Sequence, residues 1–140
     1  MKVWLHELNQ GYAYVYKRDK SFRPIMILNV NKLKKVKTDH QVLINLSIYM
    51  CQFLITRALI PGKIENWITI VDMKGVGITE IPTKLLQAMT KPLQEYFKGR
   101  LFRLYLINSQ WAIKVIWNLA KQVVDPLTIM KFSLQGDKFQ

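Results

Sequence analysis

The side-chain types that most often carry out catalysis are few in this sequence, and they are widely separated. The chain has 140 residues with two histidines and one cysteine, and no pair of them has the spacing of metal ligands. Ser109 follows an apolar stretch but lacks the Gly-x-Ser-x-Gly elbow of hydrolases. Gly75 and Gly77 lack the spacing of a phosphate-binding loop. We therefore expect a protein without enzymatic activity, metal ion or cofactor.

Two reactive residues have simpler explanations. Asp72 follows a predicted strand, at the end where α/β proteins place active residues, but a lone carboxylate more often caps a turn. Cys51 falls within an apolar stretch, where a cysteine usually acts as a small buried hydrophobe. Both residues are predicted to be structural.

The elements around these residues alternate between strand and helix. Strands are predicted at residues 67–71 and 102–107 and at the end of segment 127–134, with helices over 78–97 and 110–123. Pro82 suits the first turn of the earlier helix, and Pro92 predicts a kink or two short helices. This order indicates an open α/β sheet.

The first half of the chain adds a hairpin and a long helix. Segments 12–16 and 25–28 have the apolar character of strands, and their short link predicts an antiparallel pair. A helix should follow from residue 38 to about residue 59, with Thr38 and Gln41 forming a capping box. It is apolar around most of its girth and should be covered on several sides.

Composition limits the class of protein. Half of the residues are apolar and the length suits a single domain over residues 1–140. The net charge of +12 would attract a polyanion, either nucleic acid or an anionic membrane surface. Nucleic acid is the less favoured partner, because the aromatic residues fall within strands and helices instead of among the exposed charges.

Four short segments, in order, resemble one family. They are Arg23-Pro24 after Asp19, then Asp72-Met73-Lys74-Gly75, then Ile107-Asn108-Ser109, and finally Val124-Asp125-Pro126 with Thr128 and Lys131. The corresponding family segments read DKDGRPV, DLKG, INAP and LDP.T..KI. On these residues the chain resembles the CRAL-TRIO lipid-binding domain family of retinaldehyde-binding and phosphatidylinositol-transfer proteins, over about residues 12–140.

The resemblance implies a mixed, mainly parallel sheet of about five strands with helices on one face. It further implies a lipid on the other face beneath a mobile gate helix, and no covalent chemistry. The family's N-terminal helical region and its C-terminal gate segment are expected to be absent from this sequence. The Asn-Ala-Pro segment is changed to Asn108-Ser109-Gln110, and no headgroup-binding residue can be transferred by position.

Strand alternation gives a separate prediction for the ligand face. The purely apolar side of the strand at 102–107, with Phe102, Leu104 and Leu106, should meet the helices. The predicted floor of the ligand site is the more amphipathic side of the two central strands: Trp67, Thr69, Val71, Arg103, Tyr105 and Ile107. A shift of one residue in either strand would exchange the faces.

Two functions follow as alternatives. The first is a non-enzymatic lipid-binding or lipid-transfer module that carries a bound lipid and docks on an anionic membrane. The second is a degenerate lipid-binding fold that serves as a structural subunit, with other protein chains covering its open sheet face. A cytoplasmic or peripheral membrane location suits the first, and an organellar complex suits the second.

Overall fold

A five-stranded sheet forms the centre of the computed structural model, which describes residues 2–109 and 113–134. The strands lie in the order in which they occur in the chain. The first two pair antiparallel and all later pairs are parallel. Their bounds are β1 Ala13–Arg18, β2 Pro24–Asn29, β3 Trp67–Asp72, β4 Leu101–Ile107 and β5 Phe132–Leu134. The predicted mixed, mainly parallel α/β sheet is therefore confirmed, as is the antiparallel hairpin.

The helices connect these strands. They are α1 Lys2–Asn9, α2 Val30–Leu33, α3 His40–Phe53, α4 Thr83–Tyr96, α5 Ile113–Val123 and α6 Pro126–Ile129. Helix α3 packs beside α4, and α4 beside α5, so the three crossover helices form one layer over the same sheet face. The predicted start of α5 at residues 110–112 and the predicted domain end at 135–140 lie outside the described residues.

The long predicted helix begins one residue later than its capping box suggested. The N-cap is Asp39, whose carboxylate accepts a hydrogen bond from the amide of Gln41 at 2.7 Å. The Thr38 hydroxyl instead donates to the buried carboxylate of Glu7 on α1. The capping-box prediction is wrong because a tertiary partner, absent from the local sequence pattern, takes the threonine side chain.

Helix α3 also ends differently from its prediction. After Phe53 the chain continues as a π-helix over Leu54–Ala58, in which the amide of Leu59 bonds to the carbonyl of Leu54. The wider turn still places Leu54 and Ala58 in the core. Gly62, with φ of 73°, then turns the chain toward β3.

Helix α4 is continuous over Thr83–Tyr96 despite Pro92 in its interior, so the alternative of two short helices is wrong. Pro82 is its N-cap. A short 3-10 helix over Ile78–Glu80 precedes it. The helix turns Leu85, Met89 and Leu93 toward the sheet, and this tertiary packing offsets the hydrogen bond that proline removes.

Strand β4 contains a bulge that sets the direction of its side chains. Trp67 pairs with Leu101, whereas the next residue of β3, Ile68, pairs with Arg103. Phe102 is thus the extra residue, and the guanidinium carbon of Arg23 lies 3.7 Å from its ring centroid. Beyond the bulge the alternation continues regularly, so Leu104 and Leu106 share a face with Thr69 and Val71.

Candidate functional site

A cavity of about 270 Å³ lies between the sheet and the crossover helices. Its floor comes from alternate residues of β2, β3 and β4, and its walls come from α3 and α4. The lining is mainly aliphatic, sulfur-containing or aromatic, with Met26, Leu28, Met50, Trp67, Met89, Leu93, Leu104 and Leu106 among its members. A space of this kind, apolar with few polar groups, suits a hydrophobic ligand.

Polar residues are a minority of the cavity lining, and some of them are hydrogen-bonded to the backbone. The hydroxyls of Ser47 and Thr90 donate to helix carbonyls one turn earlier, at 2.9 and 2.7 Å. The Tyr12 hydroxyl is buried and has no hydrogen-bond partner among the described residues. Burial, with a smaller contribution from Glu7, raises the pKa of Tyr12 to about 12, so the phenol is neutral.

Two lysines are among the residues that line the cavity. Lys98 precedes β4, at the end where the parallel strands begin, and Lys131 precedes β5, which starts beside the interior of β4. At the opposite end the floor is formed by uncharged side chains such as Val71, Met73 and Leu106. None of the described lining residues is acidic. The described lining is therefore mainly apolar, with basic but no acidic residues.

The six residues predicted to form the ligand floor do not share a face. Trp67, Thr69 and Val71 line the cavity on the helix side. Arg103, Tyr105 and Ile107 pair with Ile68, Ile70 and Asp72, and therefore lie on the opposite face. The prediction that one face carries all six is wrong, because the register between β3 and β4 places Thr69 beside Leu104. A ligand contact for either set of three remains a prediction.

The cavity does not lie on the sheet face where the resemblance implies a lipid. The resemblance placed a lipid on the face away from the helices, whereas the cavity lies on the helix-covered face. Leu104 and Leu106, predicted to meet the helices, do so as part of that cavity wall. The side predicted to meet the helices is therefore confirmed for Leu104 and Leu106, whereas Phe102, the extra residue of the bulge, is not among the cavity-lining residues.

The face away from the helices is also largely apolar. A row of residues crosses it from strand to strand, formed by Tyr14, Ile27, Ile70 and Tyr105 through direct register pairs. Tyr14 is 42% exposed and the other three are half-buried. Arg103, in the adjacent row, is exposed.

Asp72 and Cys51, the two residues with reactive side chains discussed above, both have structural roles. Asp72 caps the turn after β3 by accepting the amide of Lys74 at 2.9 Å, as predicted. Cys51 is buried in the wall of the cavity, and burial raises the pKa of its thiol to about 12. Within residues 2–109 and 113–134, no group of histidine, cysteine, aspartate and glutamate side chains could hold a metal ion.

Sequence reasoning missed the helical wall of the cavity. Met50 on α3 and Leu86, Met89 and Leu93 on α4 face the floor, but their spacing alone is also that of ordinary core residues. The one available signal was the apolar girth of α3, which predicted contacts on several sides.

No helix in the part of the chain that the structure describes is long and apolar enough to cross a membrane.

Comparison with known proteins agrees with this architecture. The crystal structure of Sfh5 superposes with a TM-score of 0.76 at 16% identity, over 94% of this chain and 56% of that one. The open mixed sheet with its crossover helices is therefore a fold that this chain shares with that structure. Residues 8–140 match the CRAL/TRIO domain, and the chain belongs to that family.

Individual relatives share about a quarter of their aligned residues with this chain. The Sec14 cytosolic factor of Schizosaccharomyces pombe is 27% identical over 91% of this chain and 49% of its own length. The phosphatidylinositol/phosphatidylcholine transfer protein SFH7 of Arabidopsis thaliana is 28% identical over 94% of this chain and 26% of its own length. The chain therefore spans about half or less of the length of these curated relatives.

Proposed function

We propose that this chain is a non-enzymatic lipid-binding module that holds the hydrophobic part of a lipid in the cavity between the sheet and helices α3 and α4. The observation that carries the proposal is the cavity itself, which joins an apolar floor on three strands to an apolar helical wall. Membership of the CRAL/TRIO family and the transfer activity in the name of the Arabidopsis relative support the same conclusion.

The volume of the cavity sets what it can hold. An apolar cavity of roughly 150 Å³ accepts a molecule the size of benzene, and this one measures about 270 Å³. It has room for an aliphatic chain, and each buried methylene would contribute about 0.8 kcal/mol. Trp67, Thr69 and Val71 would contact that chain from below, which keeps these three predicted residues in the proposed site.

Delivery of such a ligand needs contact with a membrane. The net charge of +12 suits an anionic membrane surface, at about 1 kcal/mol for each lysine or arginine held near it. We propose a cytoplasmic protein that docks reversibly on such a surface, in line with the cytosolic factors among its relatives. Co-sedimentation with vesicles should then fall steeply as salt rises.

A matched pair of substitutions tests the cavity. Leu104→Trp fills the space from the floor, whereas Tyr105→Trp adds a similar ring one residue later on the opposite face. We expect Leu104→Trp to abolish transfer of labelled phosphatidylcholine or phosphatidylinositol between vesicles, and Tyr105→Trp to leave it nearly unchanged. Circular dichroism confirms that each variant is folded.

A second measurement serves if the filled variant fails to fold. The unmodified protein is extracted with organic solvent, and the extract is analysed by mass spectrometry for bound lipid. Absence of lipid from the extract, together with absence of transfer between vesicles, would overturn the proposal. Equal loss of transfer in both tryptophan variants would place the ligand elsewhere.

A structural role in a larger complex is the second candidate, and one observation favours it. The row Tyr14, Ile27, Ile70 and Tyr105 forms an apolar surface on the face away from the helices. A protein partner could cover it, because contiguous exposed apolar patches often mark interfaces. A chain that stays monomeric and stable by itself across a wide concentration range would argue against this role.

A further inference from the structure

We propose that the tip of the β1–β2 hairpin is the surface by which this protein docks on an anionic membrane. This surface, the hairpin patch, consists of Tyr16, Lys17, Arg18, Lys20 and Phe22, all of which are exposed. None of them lines the cavity. The inference rests on the proposed function and deepens it, because it names the residues that contact the lipid head groups.

The first argument is the conformation of Phe22. Its φ is 67°, in the left-handed region that favours glycine, and the residue is 61% exposed. Burial in the core therefore does not compensate for the unfavourable backbone. The family segment DKDGRPV, which this turn resembles, has glycine directly before its Arg-Pro pair, where this chain has Phe22. A bulky ring that is held exposed on a strained backbone indicates a contact outside the chain.

The second argument is that hydrogen bonds fix the turn that presents this ring. The Phe22 amide donates to the Asp19 carbonyl at 3.0 Å, and the Asp19 carboxylate accepts the amide of Arg23 at 2.8 Å. The Arg18 guanidinium donates to the carbonyls of Phe22 and Ala58, at 2.9 and 2.8 Å, and so ties the tip to the π-helix after α3. The ring is held in place before docking, which lowers the entropy lost on binding.

The third argument is that the cations of the patch are not neutralised within the described residues. Asp19 is the one acid in the sequence between residues 16 and 23, and its carboxylate pairs with Arg23 at 3.2 Å. Lys17, Arg18 and Lys20 take part in none of the salt bridges among the described residues. Each such charge held near an anionic leaflet strengthens binding about fivefold.

The combination of rings and cations favours a membrane over nucleic acid. The Lys17 ammonium lies 5.1 Å from the ring centroid of Tyr16, and the guanidinium carbon of Arg18 lies 5.6 Å from that of Phe22. Aromatic and basic side chains together are typical of surfaces that bind at the head-group level of a bilayer. Single-stranded nucleic acid is instead bound in basic grooves with aromatic platforms, whereas this patch is the tip of a hairpin whose first strand is at the sheet edge.

Phe22→Gly tests the ring without loss of the fold. Glycine adopts this positive φ without strain, so the variant should melt no lower than the wild type by circular dichroism. Its affinity for vesicles of three parts phosphatidylcholine and one part phosphatidylserine, measured by co-sedimentation, should fall about fivefold, because the ring no longer leaves water. Tyr96→Ala is the matched control: it removes a ring that is 65% exposed on α4 and should bind as the wild type does. Phe22→Asn, which also tolerates a positive φ, serves if the glycine variant fails to fold.

A double variant, Lys17→Gln with Lys20→Gln, tests the charges and keeps Arg18, whose guanidinium holds the turn. We expect about tenfold weaker binding to the same vesicles and little change with vesicles of phosphatidylcholine alone. Lys84→Gln with Lys91→Gln is the matched control, since it removes the same charge from exposed positions on α4. It should change the affinity by less than about threefold at 0.15 M salt, where distant charges are screened.

The outcomes separate this inference from the proposed function. Unchanged vesicle affinity in both hairpin variants, or an equal fall in the variants on α4, would overturn the inference and leave docking through another surface. Wild-type protein that does not bind the anionic vesicles would overturn the docking step of the proposed function as well. If the hairpin variants lose binding to a labelled single-stranded oligonucleotide but keep binding to vesicles, the patch is a nucleic-acid site and the inference is wrong.

Discussion

The Asn108 side chain donates a hydrogen bond to the carboxylate of Asp72 at 2.8 Å and thereby links the ends of the two central strands. Asn108 has a positive φ of 56°, a conformation that asparagine adopts more readily than most residues. The same carboxylate oxygen accepts the amide of Lys74. One aspartate therefore shapes the turn after β3 and anchors the turn after β4.

Substitution of Asn108 separates the contribution of its hydrogen bond from that of its positive φ. Asn108→Ala loses both the hydrogen bond and the favoured positive φ, and we expect it to reduce the free energy of unfolding by about 2 kcal/mol. Asn108→Gly loses only the bond and should cost about half as much. Urea denaturation followed by circular dichroism measures both; equal losses would show that the backbone conformation contributes nothing.

A core substitution tests which face of β4 is buried. Leu106 is 1% exposed and packs with Val30 and Met73, whereas Ile107 is half-buried on the other face. We expect Leu106→Ala to lower the free energy of unfolding by ~3 kcal/mol, the range of fully buried aliphatic deletions. Ile107→Ala should lower it by less than half of that. The reverse order would mean that the side chains of β4 alternate in the opposite sense.

The buried thiol predicts a loss of stability at high pH. Burial raises the pKa of Cys51 to about 12, above the ~8.5 of an exposed thiol. Between these values the unfolded chain releases a proton that the folded chain keeps, so the stabilisation present below about pH 8.5 is lost as pH rises. The free energy of unfolding should fall by up to ~1.4 kcal/mol for each pH unit in this window.

Denaturation in urea at a series of pH values, with a reductant present, measures this slope. Cys51→Ala should remove most of this fall in the free energy of unfolding below about pH 10. Above about pH 10, Tyr12 also contributes, because its pKa is raised in the same direction. A wild-type slope identical to that of Cys51→Ala would show that the thiol is not the cause. Native Cys51 should also react slowly with thiol reagents, and more slowly still with a ligand in the cavity whose wall it forms.

The order of elements could be predicted from local patterns. Apolar runs ending at Asp72 and at Asn108, and the short link between β1 and β2, were sufficient to predict an open α/β sheet with an antiparallel hairpin, because each of these signals is local. The mixed, mainly parallel order of the strands was implied by the family resemblance. The family resemblance rested on the same short segments. Helix ends were less predictable: Thr38 was assigned to a cap, but Glu7, distant in sequence, takes its hydroxyl.

The sequence by itself determined which residues alternate along each strand, that the chain is basic, and that no catalytic group of residues is apparent. Only the tertiary structure decided which alternate set faces the helices. Alternation along a strand tells which residues share a face, but not which face meets the helices. The bulge at Phe102 and the pairing of Thr69 with Leu104 decide between the two faces. For the same reason Trp67, Thr69 and Val71 came to line the cavity while Arg103, Tyr105 and Ile107 came to lie on the other face.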